Sequence, residues 1–161
     1  MLLRLDVNDF PLSFLLEPEC EVPPLDVAIV IDKTKSLGIP HYHSMLDSIK
    51  NFTSMFNVGK EKTHIAVVSF AGNAKVRASL KSRKAHSKDR LKNLLDTMKK
   101  DKLSQPTRTD KALEVVFQKV FTKARGDRPN SPDIVVVFTD GGLHHTAKPY
   151  SEVIPKVSEM Y

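Results

Sequence analysis

One run, Val27-Ala-Ile-Val-Ile31, constrains this chain more than any other. It is apolar without alternation and mostly β-branched, which suits a strand buried on both faces in the middle of a helix-covered parallel sheet. The run stops abruptly at Asp32, and hydroxyls follow at Thr34 and Ser36 before Gly38 and Pro40. Oxygen ligands therefore gather at the carboxyl end of a central strand, where open α/β sheets bind their ligands. A carboxylate and two neutral hydroxyls so close together outline a site for a hard cation.

The rest of the chain supplies a sheet around that strand. Tyr42, Met45, Leu46, Ile49, Phe52 and Phe56 recur at helical spacing, with Gly59 as the stop. His64 to Phe70 reads as a second strand, and the alternating Ala74 to Leu80 as a hairpin strand at the sheet edge. Ser87 is placed to cap a helix bearing Leu91, Leu94, Leu95 and Met98. Another helix starts near Thr109 and turns Ala112, Leu113, Val116 and Val120 inward. Asp133 to Thr139 reads as a second fully buried strand, ending in Asp140-Gly-Gly142, and a short helix begins near Pro155. Alternating strands and helices predict an α/β fold: a Rossmann-like, doubly wound, mostly parallel sheet with one antiparallel edge strand, flanked by helices. Pro11, Pro18, Pro23 and Pro24 mark residues 1–24 as an arm or linker, leaving 25–161 as the folded domain. A chain of 161 residues is one domain's worth and can bury a real core.

Three pieces far apart in sequence fall at equivalent places in such a fold. They are Asp32-Lys-Thr34-Lys-Ser36, Thr107-Arg-Thr109-Asp-Lys-Ala112-Leu113 and Phe138-Thr-Asp140-Gly-Gly142. Together they resemble the von Willebrand factor type A domain with its metal-ion-dependent adhesion site, as in integrin inserted domains and extracellular-matrix modules. The resemblance implies a metal site of Asp32, Thr34, Ser36, Thr107 and Asp140. It departs from the family's usual pattern at Thr34, where serine is commoner; the hydroxyl is kept and a methyl added. The implied cofactor is Mg²⁺, with Mn²⁺ or Ca²⁺ as alternatives. The implied partner is a matrix or cell-surface protein whose Asp or Glu completes the coordination, and no catalysis is implied. The resemblance also implies a secreted setting within a larger protein. Two further strands would follow the Thr-Asp-Gly strand, so the chain is expected to be a fragment or truncated at its C-terminus, with Cys20 the orphan of a disulfide closing the domain.

Other features compete. Cys20 is the single cysteine, which excludes an internal disulfide and a Cys-based metal site and leaves either a free thiol or a pairing with a cysteine elsewhere in a longer protein. No stretch approaches the roughly 20 apolar residues of a membrane span. Arg4, Asp6, Asn8 and Asp9 interrupt any signal-peptide core. Asp6 to Phe14 faintly resembles the calcium-binding linker of cadherin repeats, with Phe10 in place of its second asparagine. The net charge of +6 favours acidic partners. Residues 75–102 crowd basic side chains, among them Lys81, Arg83, Lys84 and Lys88, against Asp89, Asp96 and Asp101. Such a face is either edge-strand protection or a surface for glycosaminoglycan or nucleic acid. Arg125-Gly-Asp127 matches the integrin-recognition tripeptide, though a helix-ending glycine beside charges accounts for it. His144 and His145 follow the metal aspartate but suit an exposed loop better than Mg²⁺. Asn51-Phe-Thr53 is a glycosylation sequon on the polar face of its helix. A Mg²⁺-dependent phosphatase-like enzyme is the remaining alternative. The Asp32-Lys-Thr34 segment lacks its second carboxylate, and no glycine-rich phosphate loop is present.

Overall fold

A computed structural model describes residues 23–142 and 144–153. Cys20, the cadherin-like stretch, Pro155 and nearly all of the proposed arm lie outside these residues. Strand β1 (Asp26–Asp32) is buried along its whole length. It pairs in parallel with β2 (His64–Phe70) on one side, Ile29 opposite Val67. On the other side it pairs in parallel with β4 (Asp133–Phe138), Ile29 opposite Val136. The short β3 (Ala74–Ala78) adds antiparallel to β2, giving the order β3-β2-β1-β4. This is the mostly parallel sheet with an antiparallel edge that the sequence predicts.

The two faces of β1 build two cores. Val27, Ile29 and Ile31, with Ile65 and Val67 of β2, pack on one side. Their partners are Tyr42, Leu46 and Ile49 of α1 (Gly38–Ser54) and Leu91, Leu95 and Met98 of α2 (Lys88–Met98). Ala28, Val30, Ala66 and Val68 face the other way, onto Ala112 and Val116 of α3 (Thr109–Lys119). A strand with helices on both faces has no polar side to show, hence its unbroken apolar run. The Ser87 hydroxyl accepts the Arg90 amide at 3.4 Å, the cap the sequence predicts.

Two expectations shift. Helix α1 ends at Ser54, while Gly59 sits in the turn that follows. Phe56 keeps the helical hydrophobic rhythm from outside the helix by packing edge-on against Phe52, ring centroids 5.1 Å apart. Strand β4 is only half buried, and Ile134 is 37% exposed, because among the described residues no strand covers its outer edge. The last described helix is α4 (Tyr150–Val153), and the helix expected near Pro155 lies outside the described residues.

At the amino ends of the strands one buried ion pair fastens the sheet. Asp26 is fully buried. Its carboxylate accepts the Arg128 guanidinium (Nη2 to Oδ1, 2.7 Å) and the Arg128 amide (2.9 Å). The same guanidinium reaches the carbonyls of Leu25 (3.0 Å) and Lys62 (2.9 Å). Removing one partner of such a pair strands a buried charge, at about 3–5 kcal/mol. Arg128→Met is expected to lose that much in urea unfolding, and Asp26→Asn/Arg128→Met to recover a large part of it. A loss below about 1 kcal/mol for the single variant contradicts this role.

Candidate metal centre

Parallel pairing of β1 with β4 brings their carboxyl ends side by side, and with them the loops that carry Asp32 and Asp140. Asp32 is fully buried and Thr34 is 1% exposed. One oxygen of Asp32 accepts the Thr34 amide at 2.8 Å, which curls the chain back over the strand end. The other accepts the Thr139 hydroxyl at 2.8 Å, tying the two strand ends together. The Thr34 and Ser36 hydroxyl oxygens stand 2.9 Å apart. A 3₁₀ turn at Lys35–Leu37 leads into α1 through Gly38, whose φ of 67° favours glycine. Asp140 is exposed and accepts the Gly142 amide at 3.3 Å.

Neighbouring loops are sewn to this one. The Lys35 amide donates to the Ser104 carbonyl (2.9 Å) and the Ser104 amide to that of Lys33 (3.1 Å). Thr107 is held by its carbonyl, which accepts the His144 amide at 3.1 Å. The fully buried Asp110 receives Arg108 through two bonds of 2.9 and 2.7 Å and the Lys148 amide at 3.2 Å. It thereby clamps the loop after β4 onto the start of α3. The Arg108 guanidinium, donating to it, holds the Asp110 carboxyl down to about 2.

Electrostatics single out Asp32. It is buried with no cationic side chain at ion-pair distance among the described residues, and its carboxyl is pushed up. Burial is the main cause, opposed by the Thr34 and Thr139 bonds, and the Asp140 charge adds to the rise. Such a carboxylate lacks a counter-charge. The donor set is all oxygen, which suits a hard divalent ion. Octahedral Mg²⁺ with bonds of about 2.1 Å sets adjacent ligand oxygens about 3.0 Å apart, close to the Thr34–Ser36 separation. The residues present therefore fit a metal.

Hydrogen bonds join Asp32, Thr34 and Ser36 directly, Asp140 reaches Asp32 through its charge, and Thr107 comes to the same loops by its backbone. Thr139 and Asp110, to which the sequence reading gives no role, support the site from behind. His144 is engaged locally, its Nδ1 2.8 Å from the Thr146 hydroxyl, and its ring lies 4.1 Å from that of His145. Gly126 closes a 3₁₀ turn at φ 98°, and Asp127 turns toward Asp26 and Asp133 instead of displaying a recognition tripeptide. Those three carboxylates converge within 4.8 Å, but Arg128 already occupies Asp26. Lys81 and Lys88 donate to the carbonyls of Ala124 and Ser54, both at 2.7 Å, while Arg83 and Lys84 are exposed. Asn51 is exposed on α1.

Known proteins share this fold. The family model of the von Willebrand factor type A domain matches residues 26–160. Matrilin-3 of Gallus gallus is 28% identical over 127 residues, 76% of this chain and 27% of the matrilin. Integrin alpha-2 of Bos taurus is 29% identical over 147 residues, 87% of this chain and 12% of the integrin. The chain thus spans a minor part of these relatives' length. A structure of proximal thread matrix protein 1 from the mussel byssus, with a zinc-occupied MIDAS motif, superimposes with a TM-score of 0.73 at 23% identity. That match covers 85% of this chain and 36% of the mussel chain.

If Asp32 is a buried charge awaiting a cation, its neutral isostere has opposite effects with and without metal. Asp32→Asn is expected to raise the melting temperature of the metal-free chain at neutral pH and to abolish the gain on adding Mg²⁺. For the wild type that gain is about 2.7 kcal/mol at 100 times the dissociation constant. A variant that gains as much from Mg²⁺ as the wild type refutes the assignment.

Proposed function

Since the chain belongs to the von Willebrand factor type A family, we propose that it is an adhesion module that grips an acidic side chain of a protein ligand through a divalent cation. The observation that carries the reading is Asp32, a buried carboxylate without a cationic partner among the described residues, beside two neutral hydroxyls spaced for one metal ion. A bound Mg²⁺, or Mn²⁺ or Ca²⁺ in its place, supplies a Lewis-acidic position that prefers a carboxylate to water. Thr34, Ser36 and Thr107 offer oxygens without neutralising the ion, while Asp32 and Asp140 anchor it. The Asp32 carboxylate is oriented by the Thr34 amide and the Thr139 hydroxyl, so it needs no rearrangement on loading.

A protein ligand suits the surroundings. Ile39, in the first turn of α1 just beyond the Ser36 loop, is 63% exposed and offers apolar contact next to the charge. Against the phosphatase reading, no further carboxylate joins Asp32 at the end of β1, where a phosphoryl-transfer pair would need one. Among the described residues the one hydroxyl–imidazole contact, His144 to Thr146, closes a local turn in which the same Nδ1 accepts the Thr146 amide. Hence the site binds and does not turn over its ligand.

Relatives that include a matrilin, a collagen VI chain and an integrin favour an extracellular setting, in which Asn51 would be open to glycosylation. Among the described residues no helix is long and apolar enough to cross a membrane.

Adhesion of the purified chain to matrix proteins, in Mg²⁺ or EDTA, tests the reading. Binding is expected in Mg²⁺ only. Asp140→Ala should abolish it, Ser36→Ala weaken it roughly tenfold, about 1.4 kcal/mol, and Thr34→Ser leave it near wild type. Adhesion indifferent to both EDTA and Asp140→Ala overturns the proposal. Metal-dependent phosphate-ester hydrolysis lost in Asp32→Asn establishes the enzyme instead.

A further inference from the structure

We infer that the pole opposite the metal oxygens carries a second site, in which Arg83, Lys84, Arg90 and Arg125 line two adjoining clefts that bind the anionic groups of a sulfated polysaccharide. The topology sets it there. Strand β3 runs antiparallel to β2, Ala74 opposite Phe70 and Ala78 opposite Val67, so the chain leaves β3 toward the end where β1 and β2 begin. The loop that follows is fixed. Leu80 and Ala85 are fully buried, and the Ile65 amide donates to the Ala85 carbonyl at 3.0 Å. The Lys81 amide donates to the Arg125 carbonyl at 2.8 Å, which joins this loop to the turn after α3. The approach is so close that a Cβ on Gly126 would stand 2.5 Å from the Lys81 nitrogen. The basic side chains therefore project from a set backbone.

Two clefts open on this surface. One, of about 420 Å³, is lined by Arg83, Lys84, Arg90, Asn93, Leu94 and Thr97. Its neighbour, of about 390 Å³, shares Arg83 and Lys84 and adds Ser79, Ser82 and Arg125 among its walls. The cations differ in how they are engaged. Arg77 is held by Asp101 at 2.8 Å, and the ammonium groups of Lys81 and Lys88 rest on backbone carbonyls. Arg83, Lys84, Arg90 and Arg125 are exposed, with no carboxylate at ion-pair distance among the described residues. Asp26 is buried under Arg128, and burial, with the Asp26 charge adding to it, pushes the Asp127 carboxyl up.

Two clefts sharing a basic wall fit an extended chain with repeated anionic groups better than one small ion. The hydroxyls of Ser79, Ser82 and Thr97 and the Asn93 amide suit sugar hydroxyls. Among the described residues no aromatic ring lines either cleft, so single-stranded nucleic acid finds no surface there on which to stack its bases. Because β1 and β2 separate this pole from Asp32 and Asp140, polysaccharide and protein ligand can be held together.

The probe is a heparin octasaccharide, titrated calorimetrically over a range of salt in EDTA, which removes the metal-dependent reaction. Arg83→Glu/Arg90→Glu is compared with Lys75→Glu/Lys100→Glu, which changes net charge equally within the same basic stretch but away from the clefts. The cleft double is expected to bind at least tenfold more weakly and to lower the salt slope by roughly 2. The control double should shift far less, Arg125→Glu should weaken binding through the second cleft, and Asp140→Ala should have no effect. Equal losses in the two doubles, or binding that needs metal, overturn the proposal. Tighter binding of a single-stranded oligonucleotide of equal charge overturns its choice of ligand.

Discussion

Everything in this molecule depends on β1 being enclosed on four sides. Helices cover both of its faces and parallel strands satisfy both of its edges, so no residue from Asp26 to Asp32 touches water. Such a strand admits polar groups only at its ends. At the amino end the chain resolves the problem internally, with the Arg128 guanidinium on Asp26. At the carboxyl end, among the described residues, Asp32 receives only an amide and a hydroxyl. The contrast between two buried aspartates of one strand, one matched by a cation from the chain and one unmatched, is the physical core of the functional reading.

Much of this was legible in the sequence. Apolar runs without alternation located β1 and β2, and the 3.6-residue rhythm with its Ser87 cap located α2. Asp32, Thr34 and Ser36 were legible because their cooperation is local, within one turn of backbone. Thr139 escaped notice because its bond to Asp32 spans 107 positions, and Asp110 because its hold on Lys148 depends on a loop folding back over α3. The incomplete burial of β4 does not show in its apolar run, which reads alike whether one edge or both are covered. The basic stretch reads as uniform in sequence, yet the fold sorts it into side chains committed to carbonyls or carboxylates and side chains left to solvent.

The opposite poles also differ in how they are held. Around the proposed metal oxygens, loops are joined by backbone bonds, from Ser104 to Lys33 and Lys35 and from His144 to Thr107, so the candidate ligand atoms from separate segments sit in one frame. Around the basic clefts the backbone is equally fixed but the charges lie at the tips of long side chains. Stereospecific capture of one carboxylate calls for the first arrangement, and tolerance of variable anion spacing for the second.

Parallel pairing on both flanks of β1 has a mechanical meaning as well. Under the proposed reading, a partner held at Asp32 would pull along the strand axis. The ladders to β2 and β4 then meet the load in shear, with many backbone bonds sharing it, and cannot open one bond at a time from an end. A grip placed at the tip of a doubly flanked strand is thus anchored in the part of the fold most resistant to being drawn out.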